Sequence, residues 1–215
     1  MIETASGIIL RTRLLTETSL IVNWLTPNLG RVATVAKGAR RPKSPFAGKL
    51  DLFYSADFSF TRSRHSELHA LREVNLRETR GEIRMDIAKL QQAGYVTAFI
   101  ELATETEAPM PEIFELTHAF LKWLCAHEPK ESNVFALELK LLRELGLMPD
   151  LNETRLTPGA KKIAQALLEN DWGNSARLKL SQSQGDELRQ WLHGFLILHL
   201  GRLPRGRVAA LGNGL

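Results

Sequence analysis

No aspartate or glutamate lies between Glu17 and Asp51, yet that stretch holds Arg31, Lys37, Arg40, Arg41, Lys43 and Lys49. Ammonium and guanidinium groups at this density can neutralise phosphates and release their condensed counterions. The run from Gly30 to Ser44 reads as a short apolar strand passing into a Gly/Pro-bounded basic loop, so the cations belong to an ordered surface rather than a tail. A basic run alone is more often a solvated face. Phe46 follows the cations in the same loop and would offer a ring on which a base can stack. The candidate nucleic-acid contacts are therefore Arg31, Lys37, Arg40, Arg41, Lys43 and Phe46.

A second constellation is His65-Ser66-Glu67-Leu68-His69, in which a strand would put His65, Glu67 and His69 on one face as a three-ligand metal set. Histidines in strands and turns are more often solvated. Phosphate-loop, dinucleotide, zincin and nucleophile-elbow patterns do not occur in the chain. Cys125 is the sole cysteine, so neither an internal disulfide nor a cysteine-based zinc cluster is available. Its apolar neighbours suggest packing. These residues point to a binding protein rather than an enzyme, with no cofactor.

The elements that must carry the basic loop are legible from periodicity. Among 215 residues, residues 1–80 carry a net charge of +6 and residues 81–215 a net −2, giving +4 overall, so anion binding belongs to the N-terminal part. Gly7–Leu15, Leu20–Thr26, Arg31–Lys37, Tyr54–Thr61 and Glu67–Val74 read as strands bounded by turn residues. Five short strands favour a closed antiparallel barrel, since closure removes exposed edges; an SH3-like barrel satisfies the same pattern.

From residue 82 the period becomes helical. Ile83, Ile87, Leu90, Gly94 and Ala98 are expected on one buried face. A second helix starts at Pro111, a third is capped by Ser132 and stopped by Gly146 and Pro149, a fourth opens at Thr157-Pro158, and a fifth follows Ser183. The last should bury Leu188, Trp191, Leu192, Phe195 and His199. The chain thus reads as an α+β protein of two domains, residues 1–80 and 81–215. The N-terminus lacks a basic region followed by an apolar stretch, and no apolar run approaches the roughly 20 residues needed to span a bilayer. A cytoplasmic location without membrane contact is expected.

The sequence resembles the bacterial RecO family over nearly its whole length. The resemblance rests on Glu17-Thr18-Ser19-Leu20, on Thr26 through Gly30-Arg31, on Val35-Ala36-Lys37-Gly38-Ala39-Arg40-Arg41, and on Glu138-Leu139-Lys140-Leu141-Leu142 with Leu145-Gly146. It implies a five-stranded OB-fold barrel that binds single-stranded DNA, followed by an all-α helical domain. It further implies nucleoid association, strand annealing and help in loading recombinase. The partners implied are RecR, RecF in some organisms, and single-stranded DNA-binding protein. Many members place four cysteines after the leucine-rich helix as a zinc module; Leu147–Asn152 here leads almost directly into Thr157-Pro158, so zinc is not implied. Some relatives carry paired basic residues where this chain has Phe135-Ala136-Leu137. The acidic, apolar-ended tail of single-stranded DNA-binding protein would need an apolar pocket rimmed by a cation. Lys140 and Arg143, one turn apart, with Trp191 and His199 as a neighbouring wall, are the candidates. An OB-type RNA-binding or translation-associated module is the alternative reading.

Overall fold

A computed structural model describes residues 1–212. Five strands, β1 (Ile2–Leu14), β2 (Leu20–Thr26), β3 (Gly30–Ala36), β4 (Ser55–Thr61) and β5 (Leu68–Glu78), close a barrel in the order β1-β2-β3-β5-β4. The antiparallel expectation needs one correction: β3 and β5 run parallel where Ala33–Val35 meet Leu68–Ala70. Parity requires it. Each antiparallel junction reverses strand direction, and five reversals cannot return to the starting strand, so a closed five-membered ring must contain a parallel junction.

Period-two alternation sends Val32, Thr34 and Ala36 of β3 and Ala56, Phe58 and Phe60 of β4 inward. Trp24 stacks on Phe58 with centroids 4.1 Å apart, and its Nε1 donates to Thr34 Oγ1 at 2.9 Å, which satisfies the one polar atom the indole carries into the core. β1 begins five residues earlier than its apolar run because it serves two partners. Its first half pairs with β4 and its second half with β2, with an irregularity between Ile9 and Arg11. Gly7 lies where the partners change, and a Cβ there would come within 2.9 Å of Leu25 O. Half-buried Glu3 interrupts the apolar alternation and concealed this half of the strand.

The helices are α1 (Gly81–Arg84), α2 (Ile87–Ala103), α3 (Pro111–Ala126), α4 (Glu131–Glu144), α5 (Pro158–Glu169), α6 (Trp172–Arg177), α7 (Gln182–Leu200) and α8 (Arg207–Ala210). The first expected helix is broken at Met85-Asp86, where Asp86 Oδ1 accepts from Ala88 N and Lys89 N and caps α2. Of the expected stripe only Ile83 is fully buried, with Leu90, Gly94 and Ala98 half-buried. Ile87 is 70 % exposed, whereas Ala93, Tyr95, Val96, Phe99 and Ile100 are buried. Ser132 is not a cap; Lys130 holds the N-cap position without a side-chain bond, and Ser132 is buried in the first turn of α4. Thr157 caps α5 as expected. α7 is capped by Ser181, not Ser183, in a capping box with Gln184. Leu188, Leu192 and Leu196 form its buried stripe, leaving Trp191 and Phe195 half-buried and His199 exposed.

Packing divides the chain into two units. Met1–Gly81 joins Thr104–His118, and Glu82–Ala103 joins the chain from Ala119 onward. The barrel unit thus takes in residues 104–118, beyond the boundary at residue 80 set by the change of apolar period. Within it, Thr106 bridges in parallel to Arg31, and Glu107 N donates to Arg31 O at 2.9 Å. Gly30 (φ +67°) makes the approach feasible: a Cβ there would lie 2.1 Å from Ala108 O.

Candidate nucleic-acid interface

Lys37, Arg40, Arg41 and Lys43 are exposed on the loop leaving β3. Successive turn bonds order this loop, Arg41 N to Gly38 O, Ser44 N to Arg41 O and Ala47 N to Ser44 O, each at 3.0 or 3.1 Å. Ala39 and Phe46 pin it to the barrel core. It is also tied to the β1–β2 turn: Arg40 N donates to Thr18 O at 3.0 Å, Arg40 Nη1 to Glu17 O at 3.1 Å, and Gly38 N to Ser19 Oγ at 3.3 Å. Turn and loop enclose a groove of about 350 Å³ lined by Leu15, Thr16, Thr18, Val35, Lys37 and Arg41. Its lining combines aliphatic, hydroxyl and cationic side chains.

Two expected contacts are corrected. Phe46 is 6 % exposed and packs in the barrel core, so its ring anchors the loop and presents no stacking face. A lone aromatic among solvated charges is where burial gains most. Arg31 is half-buried, its Nε donating to Thr104 Oγ1 at 2.9 Å and its Nη2 to Thr104 O at 2.5 Å. It holds the 104–108 segment against β3.

Cross-strand register adds residues that the sequence reading missed. Arg13 pairs with Ile21 and Ile21 with Val35; Arg11 pairs with Asn23 and Asn23 with Ala33. Directly paired residues share a face, so both arginines flank the outward face of β2 and β3. OB-folds engage oligonucleotides on this face, together with the β1–β2 and β4–β5 turns. The β4–β5 turn contributes exposed Arg64. The signal was present in Arg11-Thr12-Arg13, since two arginines two apart on a strand project together. Of the aromatic residues in the barrel strands and loop, Trp24, Phe46, Phe53, Phe58 and Phe60 are buried, and half-buried Tyr54 packs on the core. The face therefore offers cations and aliphatic groups, not rings.

Elsewhere on the barrel unit, Glu3, Glu107, Asp57 and Glu78 are matched by arginines. Arg62 binds Glu3 (2.7 Å) and Glu107 (2.8 Å), and its hydrogen bond holds the Glu3 carboxyl below the usual range. Arg77, with Ser6, does the same for Asp57. The His65/Glu67/His69 constellation is not assembled. His69, 2 % exposed, accepts from Ser63 N at Nδ1 and meets Glu107 Oε1 through Nε2 at 2.6 Å, while His65 and Glu67 are exposed. Among the described residues no cluster of three ligating side chains could hold a metal ion.

In the helical unit the candidate partner residues divide into two groups. Lys140 is buried, not a rim cation: its Nζ donates to Leu168 O at 2.7 Å at the end of α5 and lies 5.8 Å from the Trp172 ring. Burial lowers its pKa, with Arg143 adding to the effect. Arg143 is half-exposed and its Nη1 reaches the same carbonyl at 3.4 Å. Trp191 instead packs at a tilt against Phe195, and Phe195 against His199, with interplanar angles of 39° and 37°. A groove of about 490 Å³ lies beside Leu168, lined by Met148, Pro149, Leu151, Lys161 and Lys162 together with the polar side chains of Asp150, Asn152 and Gln165.

The profile described as Recombination protein O N terminal matches residues 1–80, and that described as Recombination protein O C terminal matches residues 84–155. The DNA repair protein RecO of Anaeromyxobacter sp. (strain K) is 32 % identical over 231 aligned positions, covering 92 % of this chain and 91 % of the relative. RecO of Rhodopirellula baltica is 32 % identical over 66 % of this chain, and RecO of Bacillus subtilis 31 % over 71 %. The chain spans 53 % and 59 % of those two relatives. No described helix is long and apolar enough to cross a membrane. With both profiles matched in order, one relative aligned along nearly its full length and the five-stranded OB barrel in place, the chain belongs to the RecO family of DNA repair and recombination proteins.

Proposed function

We propose that the barrel binds single-stranded DNA along the outward face of β2 and β3, with Lys37, Arg40, Arg41, Lys43, Arg11 and Arg13 contacting phosphates. The observation that carries this reading is a row of exposed cations on an ordered loop beside the face that OB-folds use for oligonucleotides. With no aromatic ring on that face and solvated cations on the loop beside it, the contacts fall mainly on phosphates, are largely sequence-independent and leave Watson–Crick edges free. Two neutralised strands brought together can then pair, which is annealing without covalent chemistry. In this reading the chain is a mediator that helps load recombinase onto DNA coated by single-stranded DNA-binding protein, acting with RecR and, in some organisms, RecF. The acidic tail of the coating protein is proposed to meet the groove beside Leu168, where Lys161 and Lys162 join Met148 and Pro149 in the lining and Arg143 reaches the Leu168 carbonyl.

The test is annealing of complementary DNA oligomers, naked and precoated, alongside binding to matched DNA and RNA. Faster annealing on both DNA substrates supports the proposal. Preference for RNA with no acceleration of DNA annealing would favour an RNA-binding module instead.

A further inference from the structure

Trp191, Phe195 and His199 stand at i, i+4 and i+8 on α7, with ring centroids 5.7 and 4.2 Å apart. Two such steps cover about 12 Å of helix axis. The rings lie off the Leu188/Leu192/Leu196 stripe, and the neighbouring Leu198 is 76 % exposed. Gly201 (φ +74°) then ends the helix, and Arg202 and Arg205 follow, both exposed. From Leu188 to the C-terminus the chain contains four arginines, two histidines and no acidic residue. Arg189 is paired with Glu131 and Arg207 with Glu138, so Arg202 and Arg205 supply the exposed charge. The other aromatic ladder of this unit, Phe120–Trp123–His127, is anchored in the core by fully buried Phe120, packed edge-on against Trp172, and runs out through half-buried Trp123 to exposed His127.

Partly exposed rings in a line, leading to exposed guanidinium groups that have no ion-pair partner among the described residues, combine the two elements that hold single-stranded nucleic acid without regard to sequence. The barrel face supplies only the second. We propose that this face of α7 is a second site for single-stranded DNA, in which Trp191, Phe195 and His199 stack bases and Arg202 and Arg205 contact phosphates. The inference rests on the proposed DNA-binding function and extends it: one chain would hold DNA at two places, by phosphate contact on the barrel and by stacking on the helix.

The test uses the full chain with Lys37→Ala/Arg40→Ala/Arg41→Ala as background and a poly-dT oligomer carrying 5-iodouracil. The background variant should retain residual binding and photo-crosslink through Trp191, Phe195 or His199. Adding Phe195→Ala/Arg202→Ala/Arg205→Ala should weaken that residual binding by about tenfold or more, and Phe195→Trp should preserve it. Circular dichroism checks that each variant is folded. Residual binding unchanged by the added substitutions, or crosslinks confined to the barrel, would overturn the second site while leaving barrel binding standing. A wild-type chain that binds no single-stranded DNA would overturn the functional reading itself. Substitutions that abolish binding of an acidic, phenylalanine-ended peptide yet spare residual DNA binding would reassign the face to a peptide.

Discussion

Arg207 and Glu138 meet inside the helical unit as a two-point pair, Nε to Oε1 at 2.7 Å and Nη2 to Oε2 at 2.9 Å, with side chains 4 % and 0 % exposed. Tyr95 Oη donates to the same carboxylate at 2.5 Å, and Arg207 Nη1 reaches Arg189 O at 3.3 Å. Burial, with the Glu138 charge, keeps the Tyr95 phenol well above its ordinary pKa, so it serves as a neutral donor. The pair holds α8 in the helical core. Removing one partner strands the other charge away from water, so Arg207→Ala should cost about 3–5 kcal/mol in urea unfolding. Replacing both by leucine should cost clearly less than Arg207→Ala alone. A single variant near wild-type stability would contradict this.

Arg31 should prove structural. Its guanidinium donates to the Thr104 hydroxyl and carbonyl, and charge-assisted bonds of this kind contribute about 1.5–3 kcal/mol each. Arg31→Ala should therefore lower the unfolding midpoint while changing DNA affinity by no more than about twofold, since a guanidinium held by protein groups adds little to counterion release. An affinity loss equal to that of Lys37→Ala with unaltered stability would restore Arg31 to the DNA site.

How much of this was legible in sequence depended on the range of the interaction. β2 and the Thr157 cap of α5 follow from local chemistry, and both stand where the residues put them. The exposed positions of Lys37, Arg40, Arg41 and Lys43 likewise follow from a Gly/Pro-bounded loop. Phe46 and Arg31 were misread because their partners are tertiary: the barrel core in one case, Thr104 in the other. Lys140 looked like a surface cation, yet α4 is buried along nearly its whole length, a property that one-faced periodicity cannot register. Met85-Asp86 broke a helix whose apolar pattern ran through it, because Asp86 competes for the next backbone N–H groups. Arg11 and Arg13 are separated by Thr12, so they form no charge run, and only strand alternation puts them on one face.

Acid should loosen the barrel through Arg62. Its hydrogen bond is the main cause of the lowered Glu3 pKa. Burial raises the Glu107 pKa, but the His69 bond and the Arg62 charge outweigh it, and the net shift is downward. Both carboxyls therefore hold fewer protons when folded than when unfolded. Their contribution is complete above the ordinary carboxylate value near 4.5 and is lost as pH falls through the lowered folded values. Thermal unfolding across this range should show an acid limb for wild type and a shallower one for Arg62→Ala. Identical limbs would contradict the assignment.

Charge reversal at Arg143 should separate recruitment from annealing. Arg143→Glu places an acid beside the groove of Met148, Lys161 and Lys162 proposed for the acidic tail. Annealing on coated DNA should fall sharply while annealing on naked DNA stays near wild type. Equal loss on both substrates, or none on either, would move the docking site elsewhere.

The most direct test of the central claim is the salt dependence of single-stranded DNA binding by wild type and Lys37→Ala/Arg40→Ala/Arg41→Ala. Three lost phosphate contacts should flatten the slope of log K against log salt by about 2, at roughly 0.7 per contact for a single strand. Affinity should fall alike for all base compositions, and stability should change little because the loop charges are solvated. An unchanged slope and affinity in the folded triple variant would contradict the account and remove the DNA from this loop.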